Sequence, residues 1–572
     1  MGAYLRKTMK KSLIALTVKS ALATTLTATV GGLLLTNTAM ANESTPIVEE
    51  IKTSATTEET IVVTANRTPQ NITDIVSSVA VITRSDIELS SASSVAELLN
   101  NVSGLQMAQS GGSGQTSTIF TRGTNSGHTL VVIDGQRISS ATLGAVEFAS
   151  LSLAQIERIE VVKGPRAALW GSDAIGGVIQ IFTRQLDDGE IAADVTLGNM
   201  GDKRISVSTA IAHGDGSTTI SAAANSADGY DVYAPAEPDD DGYNRENISL
   251  IGYQQLNDIW RINWLAKYDQ GKNEYDNAWS DINQSAFDAQ QWQVSVDQND
   301  QNSIFSQQVI LGFQKNSTVD YGQSTPEAEA DYFETTRLQA SWLGNLAISD
   351  TLTSNSGVDI IQEEINTSDN NSRDLYAIFS RLAYDNESQI IDASVRYDDI
   401  EGVGAETTYN ASFGQRFKED SLVSLNIGTG FKAPSFNDLY YVGGGSTGNK
   451  ALEAETSTSI ELLTKTQLLG INTEVSFYQT DIDNLIEWVA DDSFNYSPVN
   501  LNSAEIKGVE LTLNTDTFGI HHEVQLNYLD AVDSETKEKL IRRAKKSGSY
   551  VLSTSWDAVD FQASIRYQGE RE

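Results

Sequence analysis

Val423-Ser424-Leu425-Asn426-Ile427-Gly428 alternates apolar with small or polar side chains one for one, the two-residue period of a strand with two unlike faces. The same beat recurs where Val509, Leu511 and Leu513 oppose Glu510, Thr512 and Asn514, and where Phe561, Ala563, Ile565 and Tyr567 oppose Gln562, Ser564, Arg566 and Gln568. From about residue 190 onward such runs are separated by Asp-, Asn-, Gly- and Ser-rich stretches, long and acidic at some connections and short at others. A soluble antiparallel sandwich shows the same alternation, but about 380 unbroken residues exceed one sandwich. Unequal connections suit a barrel with loops at one end and turns at the other. The expected fold is therefore β: a large antiparallel transmembrane barrel with an apolar face to lipid and a wet interior.

Composition agrees. The chain has 572 residues, 40% hydrophobic, with 42 Gly and 20 Tyr but only 8 Pro. No apolar run of the ~20 residues that a membrane helix needs follows the N-terminal segment, so strands must do any spanning. Residues 1–41 read as an export signal: Arg6, Lys7, Lys10 and Lys11 precede an apolar stretch to Leu35, and Ala39-Met40-Ala41 is an A-x-A cleavage site. An uncleaved anchor is the weaker alternative, because Lys19 interrupts the run. Removing the signal takes five basic and no acidic residues, moving the net charge from −38 to −43. That acidity argues against nucleic acid as a partner and favours a neutral or cationic ligand over an anionic one. Zero Cys in an exported chain excludes disulfide stapling, so stability must come from a large hydrogen-bonded structure.

Residues 42–70 form a leader, polar and aperiodic up to Glu58, then Glu59-Thr60-Ile61-Val62-Val63-Thr64-Ala65, a β-prone run standing alone. A lone strand cannot satisfy its own backbone, so it either pairs inside the fold or waits for a partner strand. Residues 71–184 read as a small α/β domain. Strand-like runs lie at Val79–Thr83, Thr118–Phe120, Leu130–Ile133, Ile156–Val162 and Gly176–Ile181, and Ser94 caps a helical run to Leu99. The barrel follows over residues 190–572.

Signal, leader, isolated strand, α/β domain and barrel, in that order, resemble TonB-dependent outer-membrane receptors. Glu59 to Ala65 is similar to the family's TonB box. Gly164-Pro165-Arg166 and Trp170-Gly171-Ser172-Asp173-Ala174-Ile175-Gly176-Gly177-Val178-Ile179 match its plug signature. Gly430-Phe431-Lys432-Ala433-Pro434, Asn449 with Leu452, Glu453 and Glu455, and Ile506-Lys507-Gly508-Val509-Glu510 match its barrel signatures. Gly111-Gly112-Ser113-Gly114-Gln115, Ile119-Phe120-Thr121-Arg122-Gly123-Thr124-Asn125, His128 and Ile133-Asp134-Gly135 look like the plug of the family's cobalamin (vitamin B12) transporters. The resemblance implies a barrel of the ~22-stranded type with the α/β domain as a plug inside it. It implies active cobalamin uptake without chemistry on the cargo, TonB and its inner-membrane energising complex as partners, and a monomer set in outer-membrane lipid and lipopolysaccharide.

The same resemblance implies cobalamin contacts at Thr116, Thr118 and Asn125, at Leu143 and Gly144, and at Arg542 in a barrel loop. Thr116 stands where the relatives carry an apolar residue. A bulky, nearly neutral corrinoid ringed by amides suits loops that offer backbone groups, hydroxyls and an Asn. Asp231, Glu237, Asp239 and Asp241 fall on one loop, and Tyr275, Asp276 and Asp288 are placed on the next; oxygen ligands on adjacent loops suit calcium, which takes ~6–8 of them. The resemblance implies that calcium orders these loops around the ligand. The rival cargo is a ferric siderophore or other metal chelate, and the rival class is a passive porin or adhesin.

Gly444-Gly445-Ser446-Thr447-Gly448 fits G-x-S-x-G but lacks a strand-to-helix context, and His128, His213, His521 and His522 show no metal-ligand spacing, so no enzyme is expected. Family members end in an aromatic residue that closes the last strand, whereas this chain stops at Arg571-Glu572. By alignment with the relatives roughly sixty residues, about three strands, are expected beyond it.

Overall fold

The computed structural model describes residues 62–64, 66–235, 237–300, 303–330, 332–366, 372–418, 421–443, 445–500, 503–556 and 559–571. Nineteen antiparallel strands among them, from Ile191–Leu197 to Val559–Gln568, form one sheet in chain order. Those two strands are its edges and do not pair with each other, so the cylinder is open along one seam.

The faces of this sheet are inverted relative to a sandwich. Leu425 and Ile460 stand 44% and 47% exposed on the outside, while Asn426 and Glu461 beside them are 8% and 5% exposed inside. A soluble sandwich would bury the leucine and solvate the carboxylate; apolar-out with polar-in is stable only with lipid outside. At one end the strands are joined by tight turns such as 214–215, 350–351, 469–470 and 518–519. At the other end the connections 228–242, 433–454, 484–503 and 534–545 are long. Among the described residues no helix is long and apolar enough to cross a membrane.

Inside the cylinder lies a five-stranded mixed sheet in the order Val79–Ile82, Ile156–Lys163, Gly177–Thr183, Thr129–Ile133, Gln136–Arg137. Thr129–Ile133 and Gly177–Thr183 run parallel, and the remaining pairs are antiparallel. Their apolar faces meet in a closed core in which Val131, Ile159, Val161 and Ile179 are fully buried, and Ile251 and Leu265 of the barrel wall join it. The helix Val95–Leu99 covers one face of this core, its Ser94 cap accepting from the Glu97 amide at 3.2 Å.

Candidate functional site

The plug presents two loops towards the long-loop end. On the first, Thr116 is exposed; Thr118 lies in the strand Ser117–Thr121, its hydroxyl donating to the Ala108 carbonyl at 3.2 Å. The loop follows a glycine run because it packs against barrel side chains. Gly114 sits at φ +95, and a Cβ there would lie 2.5 Å from the Tyr243 ring. Asn125 opens the turn Ser126–His128, donates its N–H to His128 Nδ1 at 3.2 Å, and accepts from Arg543 Nη2 at 2.5 Å.

The second loop carries Leu143, 68% exposed, and Gly144. The two loops touch: a Cβ on Gly127 would stand 3.0 Å from the Gly144 carbonyl oxygen. Leu143 forms one wall of a cavity of about 360 Å³ whose further walls include Asn437, Asp438, Tyr441, Ser446, Trp488 and Tyr496. Tyr441 meets Trp488 edge to face at 5.7 Å, and Trp488 Nε1 donates to Asp438 Oδ1 at 3.0 Å. The sequence reading contained none of these aromatic residues; they arrive from two loops about fifty positions apart, and no local pattern marks them.

Arg542 is exposed, at φ +64, whereas Arg543 turns inward. Arg543 donates to the Gly123 carbonyl at 2.9 Å and lies 4.6 Å over the Phe120 ring. Burial and the neighbouring Arg542 pull its guanidinium down to about 10. The residue expected to reach the ligand is thus flanked by the one that holds the plug loop.

The acidic loops converge. Ligating oxygens of Glu237, Asp239 and Asp276 lie within 4.8 Å of one another. Oδ1 of Asp231 and Oδ1 of Asp276 are buried without a hydrogen-bond partner, an uncompensated state that a hard cation would relieve. Asp241 accepts from the Val232 amide at 3.0 Å, yet burial among Asp276 and Asp239 pushes its carboxyl up to about 6. Burial likewise raises Asp239 and takes Tyr275 up to about 12. These donors are all oxygen and net negative, so the residues fit calcium. Asp288 departs from the expected position. The strand Ile282–Gln298 starts six residues before it, so Asp288 lies within the ladder opposite Gln270 and Ser317 rather than on the loop. Asp281, on the loop, is instead held low by the Ser324 amide and hydroxyl.

At the opposite end Val62–Val63 pairs with Gln70–Asn71, and Val63 is fully buried. The Thr64 amide donates to Glu160 Oε2 at 2.7 Å, and Gln180 Nε2 donates to the Thr64 carbonyl at 3.2 Å. The isolated β-run therefore pairs inside the fold in this state; Glu59, Thr60, Ile61 and Ala65 lie outside the described residues. Next to it Arg67 pairs with Asp359 of the wall at 3.2 Å and lies over Trp170 and Phe379 at 4.5 and 4.8 Å.

Further buried pairs tie plug to barrel. Arg122 bridges Glu461 at 2.6 Å and Glu510 at 3.0 Å, Lys163 reaches Glu510 at 2.8 Å, and His128 meets Glu455 at 2.8 Å. Arg122 and Glu510 stand in the motifs quoted from the sequence, but nothing local shows that they meet across 388 positions. Ser446 accepts from the Tyr496 amide at 2.9 Å within a loop hairpin, which is no nucleophile setting.

Residues 71–178 match the family described as TonB-dependent Receptor Plug Domain, and residues 188–572 match TonB dependent receptor-like, beta-barrel. The chain is 32% identical to the vitamin B12 transporter BtuB of Photobacterium profundum, covering 89% of this chain and 85% of the relative. It is also 32% identical to a BtuB of Vibrio vulnificus, covering 93% and 88%. Among solved structures it is similar to a mutant of the ferric enterobactin receptor PfeA of Pseudomonas aeruginosa, with TM-score 0.75, 19% identity, and 86% of both chains covered. The siderophore receptor PirA of Acinetobacter baumannii gives TM-score 0.73 at 16% identity, covering 86% and 87%. The copper transporter OprC gives 0.71 at 14%, covering 85% and 86%. At these identities the structural likeness speaks for the fold alone.

Proposed function

The chain belongs to the TonB-dependent receptor family, and from that premise we propose that it imports cobalamin across the outer membrane. The observation that carries the choice of cargo is the cavity at the long-loop end. Leu143, Tyr441, Trp488 and Tyr496 are apolar or aromatic, the remaining walls are hydroxyl and amide, and the one charge among them is Asp438. Such a wall offers one contacting face to a large neutral amide-bearing macrocycle and sets a carboxylate against an anionic ferric chelate. The likeness to BtuB over both plug and barrel supports the same cargo.

In this reading residues 1–41 are removed on export, 71–184 form the plug and 190–572 the barrel. Ligand enters between the plug loops at Thr116 to Asn125 and at Leu143-Gly144 and the outer barrel loops, where Arg542 is exposed. Asp231, Glu237, Asp239, Asp241, Tyr275 and Asp276 would hold calcium, which supplies the positive charge that lets these carboxylates share one small volume. With the loops already ordered, less conformational entropy is lost when ligand binds. Occupancy then favours release of the segment from Glu59 to Ala65, which adds as a strand to TonB in place of its two-residue pairing with Gln70–Asn71.

A second reading, a ferric siderophore or other metal chelate, is favoured by one observation: Arg542 and Arg543 stand side by side next to the plug loop of Asn125. Equilibrium binding of cobalamin and of a ferric catecholate, each with and without calcium, separates the two. The expected result is cobalamin binding that tightens at least tenfold with calcium; tight chelate binding without cobalamin binding overturns the assignment.

A further inference from the structure

Three cavities lie in series along one segment of the plug, Asp134 to Gly144. The aromatic-walled cavity at the long-loop end, about 360 Å³, meets the segment at Leu143 and includes Ser435. A narrow one of about 30 Å³ shares Ser435 and runs from Gly144 to Arg137. A third, about 320 Å³, is lined by Asp134 and Gly135 above and by Thr64 and Arg67 of the TonB-box region below. Arg137, on the middle cavity, donates to the carbonyl of Trp170, which lines the third. The string thus leads from the ligand face towards the strand on which TonB would pull, its middle and third cavities separated by the Arg137–Trp170 contact.

The plug is held unequally around its circumference. On the strands Glu455–Leu468 and Ala504–Thr517 the bonds are buried ion pairs, through Arg122, Lys163 and His128. On the strands Ile282–Gln298, Phe305–Gly322 and Tyr332–Ser349 the segment is held at its backbone carbonyls, by neutral amides and by Arg337, rather than by ion pairs from plug to wall. Gln293 donates to the Asp134 carbonyl at 2.9 Å, Gln314 to the Ile138 carbonyl at 3.1 Å, and Gln339 to the Gly135 carbonyl at 3.3 Å. Amide contacts of this kind exchange for water far more readily than buried ion pairs, whose rupture strands charge in a low dielectric.

We propose that cargo passes along this seam, between plug segment Asp134–Gly144 and the barrel wall from Ile282 to Asp385, while the Arg122–Glu510 side of the plug stays anchored. The middle of the seam is a constriction: Arg337 and Arg373 both pair with Glu363 at 2.6 Å, and Arg337 donates to the Ser139 carbonyl at 2.8 Å. Pulling at Thr64 and Arg67 widens the third cavity first and peels Ser139 from Arg337 next. This proposal rests on the reading of the chain as an importer, though not on the identity of the cargo.

The chain contains no Cys, so paired cysteines report without background. One pair, Gln136→Cys with Gly312→Cys, staples the seam, since a Cβ at Gly312 would lie 2.7 Å from Gln136 Cδ. The other, Ser103→Cys with Asn527→Cys, staples the anchored side, where the two side chains meet at 2.6 Å. Uptake and surface binding of cobalamin and of ferric enterobactin are measured in cells carrying each staple, oxidised and then reduced. The seam staple is expected to lower uptake at least tenfold with binding unchanged, reduction restoring it, while the anchored-side staple leaves uptake within twofold. Equal effects of the two staples, or a block by the anchored-side staple alone, overturn the proposal. If the unstapled protein imports the chelate and not cobalamin, the cargo assignment fails, and the same comparison, made on the chelate, still decides the path.

Discussion

Arg67 is held by one ion pair and two aromatic faces, and it stands three residues beyond Thr64, whose carbonyl accepts its amide at 2.8 Å. Asp359 keeps a second partner, Arg396 at 2.6 Å, so Arg67→Ala removes a latch without stranding a carboxylate. A loss of about 1–2 kcal/mol is expected from the cation–π and ion-pair contributions together. That corresponds to roughly tenfold greater opening of the segment; an unchanged rate of proteolysis near Thr64 would show that Arg67 is no latch. At the other end Asp241 carries the pH dependence. Its folded value of about 6 lies above its ordinary value of 3.8. A carboxyl raised in this way favours the folded loop while protonated, and that contribution is lost as pH rises through about 6. A cation that replaces the proton must then bind more weakly in acid. Calcium titration at pH 7.5 and pH 5 is expected to give an affinity about tenfold lower at pH 5, following one unit of proton competition. Equal affinities would exclude Asp241 from the site.

Two ladders in the plug differ in length and cover. Val62–Val63 shares two register pairs with Gln70–Asn71, whereas Thr129–Ile133 shares five with Gly177–Thr183 beneath fully buried Val131 and Ile179. Short ladders open locally, and long ones under a core open only with the domain. Hydrogen exchange is expected to label the amides of residues 62–64 first and those of residues 129–133 last; comparable protection would mean that the N-terminal strand is an integral part of the plug. The period of alternation identifies such elements from the chain alone, because a strand's two faces are written into adjacent residues. Their boundaries are less visible: the run to Asp288 reads as an acidic loop, yet Phe287 and the alternation toward Trp292 and Val294 carry the strand back to Ile282.

The plug carries its own hydrophobic core, which apolar residues of the wall such as Ile251 and Leu265 join, and it is tied to the cylinder by buried charge as well. Glu510 receives both Arg122 and Lys163, so Glu510→Ala leaves two buried cations with reduced compensation. The cost is expected to be about 3–5 kcal/mol, read as earlier unfolding of the plug in urea while the barrel transition stays in place; coincident shifts would mean that plug and wall unfold as one. The chain by itself determined the barrel and the α/β plug that precedes it, because these rest on periodicity and motifs within some ten residues. Only the tertiary structure decided that Arg543 grips the plug where Arg542 is exposed, that Leu143 faces Tyr441 and Trp488, that Asp288 leaves the acidic cluster, and that Arg122 finds Glu461 and Glu510. Such partners lie hundreds of positions apart, and their meeting depends on strand register accumulated around the whole sheet, a quantity that no short stretch of residues encodes.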